Sequence, residues 1–203
     1  VTRLIAPAAL VLWCAAVISA AHPAAAPFGR SAPWRTANAY ADGAPPGFSG
    51  GFGEQSCHAC HFQADVNTKP GQLTLDGVPA RFVGGTSYPL TIALERPDMK
   101  SGGFVLTARF EDGGAQAGSL AGGPAERERV KVETQADVQY ASQRRMGTAL
   151  ASVGTARWTV VWTAPATRGV VQFHVAANAA DNDESAGGDY VFTLVRESAP
   201  ASQ

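Results

Sequence analysis

Phe104-Val105-Leu106-Thr107-Ala108-Arg109-Phe110, closed by the turn residues Asp112-Gly113-Gly114, is the stretch on which the fold turns. Phe104, Leu106, Ala108 and Phe110 fall on one side of an extended chain, and Val105, Thr107 and Arg109 on the other. A period of two residues is that of a β-strand, and the Asp-Gly-Gly run is turn chemistry. The same texture recurs on both sides. Upstream, Leu73 to Leu75 leads into Asp76-Gly77, and Tyr88 to Leu94 sets Leu90, Ile92 and Leu94 on one face. Downstream, Val130 to Val138 reads as a charged, half-exposed strand carrying Val130 and Val132. Three more follow, with Trp158, Val160 and Trp162, then Val171, Phe173 and Val175, then Tyr190, Phe192 and Leu194, each trio on one face.

No stretch of comparable length sustains a 3.6-residue period, so the expectation is an all-β domain. About seven short strands at this spacing suggest two antiparallel sheets packed as an immunoglobulin-like sandwich over residues 72–197. Trp158, Trp162, Phe104 and Phe173 are expected as large core fillers rather than as a cofactor box. Tyr140 to Gly154, barely periodic, is expected as a long loop, with or without one helical turn.

Ahead of the strands stands Cys57-His58-Ala59-Cys60-His61. C-x-x-C-H is the spacing of covalent c-type haem attachment. Each thiolate adds across a porphyrin vinyl group, and the adjoining histidine becomes the proximal iron ligand. Cys57 and Cys60 are therefore the expected thioether anchors and His61 the iron ligand. The sixth ligand is left unknown, the choices being Met99, Met146, His174, His58 and His22. Arg144 and Arg145, beside Met146, are candidates to pair with haem propionates. Other readings of the motif are a plain disulfide, a zinc site completed by His58 or His174, and a dithiol redox centre. Zinc lacks a second spaced ligand pair, and dithiol exchange lacks its βαβ setting.

The first 21 residues read as an export signal. Arg3 is the one early charge, Leu4 to Ile18 is apolar, and Ser19-Ala20-Ala21 offers a cleavage site before His22. Of three cysteines in 203 residues, Cys14 would leave with the signal, so the mature thiols belong to the C-x-x-C alone. Residues 22–50, rich in Ala, Pro and Gly, are expected as a linker, and 51–71 as the motif-bearing segment packed on or tethered to the sandwich. A net charge of −1 and no basic stripe argue against nucleic acid as a partner. The expectation is a periplasmic or extracellular protein without a stable membrane anchor after cleavage, acting on an unidentified redox partner. No G-x-S-x-G, H-E-x-x-H or Walker loop points to an enzyme. Asp181-Asn182-Asp183-Glu184 with Asp189 is read as a solvated hairpin tip, with a weak calcium site as the alternative. The EF-hand pattern fails because its twelfth position is Phe192.

Five segments together resemble a bacterial family of exported Reeler-like (reelin N-terminal, choice-of-anchor type) β-sandwich domains bearing C-x-x-C-H at the entrance. They are Gly50 to His61, Gly103 to Ala108, Trp158 to Pro165, Val171 to Ala180, and Ser185 to Asp189. The resemblance spans roughly residues 40–195 and implies an immunoglobulin-like sandwich and secretion. The attachment of c-type haem outside the bacterial cytoplasm fits that export. Many members carry a histidine after the tyrosine corresponding to Tyr140, where this chain has Ser142 and Gln143, so the resemblance does not extend to bis-histidine ligation. Members often end in a sorting or membrane anchor, which is not expected here. The second function carried forward is a secreted, non-catalytic binding or adhesion module whose C-x-x-C is a structural disulfide.

Overall fold

A computed structural model describes Tyr40 and residues 42–202, apart from 167, 168, 184 and 186. The expected export signal, His22 and the first part of the linker lie outside the described residues. The described chain forms ten strands: β1 (Gln72–Asp76), β2 (Arg81–Phe82), β3 (Ser87–Glu95), β4 (Ser101–Phe110), β5 (Ser119–Gly122), β6 (Val130–Gln135), β7 (Val138–Gln143), β8 (Thr155–Thr163), β9 (Val171–Ala180) and β10 (Tyr190–Pro200). They make a four-stranded sheet, β1-β3-β8-β5, and a six-stranded sheet, β2-β10-β9-β4-β7-β6. Every pairing is antiparallel except the short β2–β10 contact, which is parallel. The immunoglobulin-like sandwich expected from the alternation is the observed architecture.

The core lies between the sheets and is filled by the in-phase residues of each strand. Trp158, Trp162, Phe104 and Phe173 are each at most 1% exposed. Trp162 meets Phe173 edge-on at 4.8 Å and donates its indole N–H to Ala117 O at 2.8 Å. Trp158 donates to Gly147 O at 2.7 Å, so neither buried indole is left without an acceptor. Burying each such ring is worth about 2–3 kcal/mol relative to leaving it in water.

Two readings of the sequence change. The strand expected from Val130 to Val138 is two strands, because Ala136 and Asp137 both take positive φ (47° and 62°) and close a hairpin between β6 and β7. β7 therefore claims Tyr140 to Gln143 from the expected loop, and Arg145–Thr148 is a single 3₁₀ turn. The second change concerns the segment before the strands. Residues 42–50, expected as linker, are already packed down: Gly43 and Ser49 are buried, and Ala44 and Phe48 sit against Val105, Val138 and Tyr140. Those three residues lie on the outer face of the six-stranded sheet, which the incoming chain covers. The Pro and Gly content of this stretch shapes a cover rather than a spacer.

Candidate functional site

The C-x-x-C-H string folds into one tight turn. A 3₁₀ helix runs over Cys57–Ala59, with Ser56 as its N-cap and Ser56 Oγ accepting from His58 N–H at 3.3 Å. The carbonyl of Cys57 accepts from both Cys60 N–H (3.2 Å) and His61 N–H (3.0 Å). With three residues per turn, side chains at i and i+3 eclipse, so the Cys57 and Cys60 thiols share one side. His58, between them, is tied off by a 3.1 Å contact from Nε2 to Ala64 O. Neither thiol is bonded to another sulfur. Burial pushes the Cys57 thiol up to about 12, with Cys60 nearby adding to the effect.

His61 reaches the strands. Its Nδ1 lies 2.5 Å from Asp189 Oδ2, and Asp189 is 2% exposed. A carboxylate only accepts, so in this contact Nδ1 carries the hydrogen. Asp189 is itself held on both oxygens. Asn178 Nδ2 donates to Oδ2 at 3.2 Å, and the Asp181 N–H donates to Oδ1 at 3.2 Å. Asn178 Oδ1 is buried with no partner among the described residues.

Cys57, Cys60 and His61 line a cavity of about 270 Å³, near the lower end of ordinary ligand pockets at roughly 300–1,000 Å³. Its floor is the end of the six-stranded sheet, where β4 and β9 pair Ser101 with Ala180 and Gly103 with Asn178. These small outward-facing residues leave the space that larger ones would fill. Tyr40, Ala44, Pro45 and Phe48 of the incoming chain form one wall, and Gln143, Arg145 and Thr148 another.

A separate polar network fastens the motif-bearing segment to the same face. Glu54 Oε1 accepts from Arg109 Nη1 at 2.7 Å and from Tyr140 Oη at 2.5 Å, while Oε2 accepts from Ser49 Oγ at 2.6 Å. Burial first, and then the Glu54 carboxylate, pushes the Tyr140 phenol up to about 12. The Arg109 guanidinium lies 4.3 Å over the Phe52 ring, and Phe52 meets His174 edge-on at 5.0 Å. Gly51 permits that approach, since a Cβ there would fall 2.2 Å from His174 Cγ. Asn67 ends the segment by donating its N–H to Val191 O at 2.9 Å and accepting from Thr193 N–H at 3.0 Å, along the edge of β10.

The structure thus brings Cys57, Cys60 and His61 to one cavity, and of the candidate sixth ligands among the described residues Met99, Met146, His174 and His58 do not line it. Met99 is 3% exposed within the core, and Met146 is 64% exposed. His174 sits half-buried under Phe52, and His58 is bonded to Ala64. Arg145 lines the cavity, while Arg144 does not. No group of three or more His, Cys, Asp or Glu side chains able to hold a metal ion occurs among the described residues, so the zinc set does not assemble. Asp189 is withdrawn from the acidic tip expected to contain it. Sequence reasoning did not pair Asp189 or Asn178 with His61. The available signal was Asn178 as a polar residue in a buried strand, and Asp189 directly before the apolar β10.

No family model matches the chain, and no curated protein matches it. Among solved structures it is similar to the human F-spondin reeler domain (fragment 1), at 18% identity over 68% of this chain and 92% of that one, with a TM-score of 0.45. The Reelin-N domain of F-spondin gives 19% identity over 71% and 97%, with a TM-score of 0.46. A cohesin module from a Clostridium perfringens family 33 glycoside hydrolase gives 10% identity over 67% and 100%, with a TM-score of 0.46. No helix among the described residues is long and apolar enough to cross a membrane.

Proposed function

We propose that this chain is an exported carrier of one covalently attached c-type haem, with thioethers at Cys57 and Cys60 and His61 as the proximal iron ligand. The observation that carries the reading is the 2.5 Å bond from His61 Nδ1 to the buried Asp189 carboxylate. Metal-ligating histidines characteristically give their second ring nitrogen to a carboxylate or carbonyl, which fixes the tautomer and strengthens the ligand. The donor set also suits the group: two thiols on one side of a single turn and the histidine next to them.

Bound haem would supply one-electron chemistry and an iron whose potential depends on its axial ligands and their hydrogen bonds. The protein's own part is positional. Asp189 orients His61, the 3₁₀ turn presents the thiols, and the Glu54 network holds the segment against the sheet. The fold does not carry this assignment, because sandwiches serve many functions.

A second reading is a non-catalytic binding or adhesion module whose Cys57 and Cys60 close as a disulfide. The specific observation in its favour is that the core is complete without a cofactor, with Trp158, Trp162, Phe173 and Phe192 all at 2% exposure or less. The absorption spectrum of the protein exported from a host with haem-maturation machinery separates the two. A Soret band that survives acid–acetone extraction, and is lost to extraction in Cys60→Ser, supports the haem carrier. A colourless wild-type protein supports the module.

A further inference from the structure

The loop that leads into the C-x-x-C-H turn rests on a titratable ring. Residues 49–55 fold back on themselves, with Gly50 N–H donating to Gln55 O and Glu54 N–H to Gly51 O, each at 2.9 Å. The loop lies so close to His174 of β9 that a Cβ on Gly51 would fall 2.2 Å from His174 Cγ and 2.3 Å from Nδ1. Phe52 takes φ 53°, the left-handed region that a phenylalanine keeps only where its surroundings hold it there. What holds it is the Arg109 guanidinium, 4.3 Å over its ring, and the edge-on imidazole of His174 at 5.0 Å.

The hydrogen bonds around His174 fix where a charging proton goes. Gln172 Nε2 donates to Glu197 Oε1 at 3.0 Å and to Glu111 Oε1 at 3.3 Å, which turns Gln172 Oε1 toward His174 Nε2 at 3.2 Å. An amide oxygen only accepts, so in this contact Nε2 carries the hydrogen, and the proton that charges the ring enters at Nδ1, on the Gly51 side. The groups facing the ring are Glu54 of the loop, Arg109 of β4, Tyr140 of β7 beyond Thr107, and Glu111 and Glu197 behind Gln172. From β10 the residue opposite is the uncharged Val195. Glu54 favours the charge, but its oxygens already accept from Arg109, Tyr140 and Ser49. Burial holds the His174 pKa below its ordinary 6.5; Glu54 works against that shift and Arg109 with it.

We propose that His174 is an acid-sensitive latch for this loop: protonation at Nδ1 releases residues 49–55 from the six-stranded sheet and frees the upstream side of the turn that carries Cys57. Lifted off, the charged ring is solvated and Phe52 can leave the left-handed region. The uncovered ring, at its ordinary 6.5, binds the proton more readily than the covered one. The closed loop is therefore favoured above pH 6.5 and loses ground as the pH falls from there toward the lower covered value. The latch works through contacts of the loop with β4, β7 and β9, and operates whether the thiols carry haem or close as a disulfide.

The test is hydrogen exchange of the exported full-length protein, read by mass spectrometry between about pH 7.5 and 5 and corrected for the intrinsic pH dependence of exchange. Residues 49–55 should lose protection as the pH falls through this window, while β4 and β9 keep theirs. His174→Phe retains an aromatic edge for Phe52 but cannot titrate, so its loop should stay protected throughout. Gly51→Ala, which forces a Cβ into the ring, should leave the loop open already at neutral pH. Unchanged protection of the wild-type loop overturns the proposal, as does an equal loss in wild type and His174→Phe. Should the phenylalanine variant prove open at neutral pH, the imidazole titration of His174 in the wild type, followed by NMR, decides. A midpoint matching that of loop opening supports the latch, and a separate midpoint overturns it.

Discussion

The two faces of the six-stranded sheet are built from the same strands and do different work. The inner face presents Phe104, Leu106 and Ala108 from β4, with Phe173, Val175 and Ala177 from β9. These residues interlock with the tryptophans of β8 and leave no polar atom to satisfy. The outer face presents Gly103, Val105, Thr107 and Arg109 from β4, opposite Asn178, Ala176, His174 and Gln172 from β9. It too is covered, but by residues 42–67, and through polar anchors: Glu54 on Arg109 and Tyr140, His61 on Asp189, and Asn67 on β10. One face makes the fold and the other holds the motif. Apolar packing tolerates a complete core; a site needs small residues, held polar groups and space.

That division can be attacked from either side. The largest effect is expected on the inner face. Trp162→Ala should cost about 3–5 kcal/mol in urea unfolding, since it opens a cavity at a residue with no exposure. The outer face should give way separately. Glu54→Ala removes the acceptor of Arg109, Tyr140 and Ser49 together, and should cost about 2 kcal/mol, reduced from the fully buried case by the 14–15% exposure of the pair. Its signature is new proteolytic cleavage within residues 42–67 while the sandwich remains folded; simultaneous loss of both would show that the faces are one unit. The smallest effect is electrostatic. Burial lowers the pKa of His174 from its ordinary 6.5, with Glu54 opposing and Arg109 adding to the shift. The unfolded chain therefore binds the proton more readily, so this contribution is complete above pH 6.5 and is lost progressively as the pH falls from there toward the lower folded value. His174→Gln should flatten the pH dependence of stability across that window, and an unchanged slope would place the titrating group elsewhere.

The inner face was legible in the sequence because packing against a second sheet demands a period of two, which Phe104 to Phe110 and Trp158 to Trp162 display. β2 and β5 escaped notice because two and four residues are too few to establish a period. The β6–β7 hairpin escaped because Ala136-Asp137 carries none of the glycine that usually marks a turn with two positive φ values. The motif was legible at Cys57, Cys60 and His61, since covalent chemistry demands a spacing. Its support was not. Asp189 and His61 are 128 positions apart and meet only once β9 and β10 have paired, and Gln143 becomes a cavity wall only because the β4–β7 ladder ends one residue short of it. Residues 42–50 misled for a related reason: Pro and Gly describe a chain that does not form strands, which is equally true of a linker and of a cover.

Intact-mass measurement of the exported wild-type protein, made in a host able to attach c-type haem, bears most directly on the outer face as a cofactor site. The expected mass is that of the processed chain plus one haem, with the addition absent from the double variant Cys57→Ser/Cys60→Ser. A wild-type mass equal to the processed chain less the two thiol hydrogens would contradict the haem assignment and leave the C-x-x-C as a disulfide on a binding module.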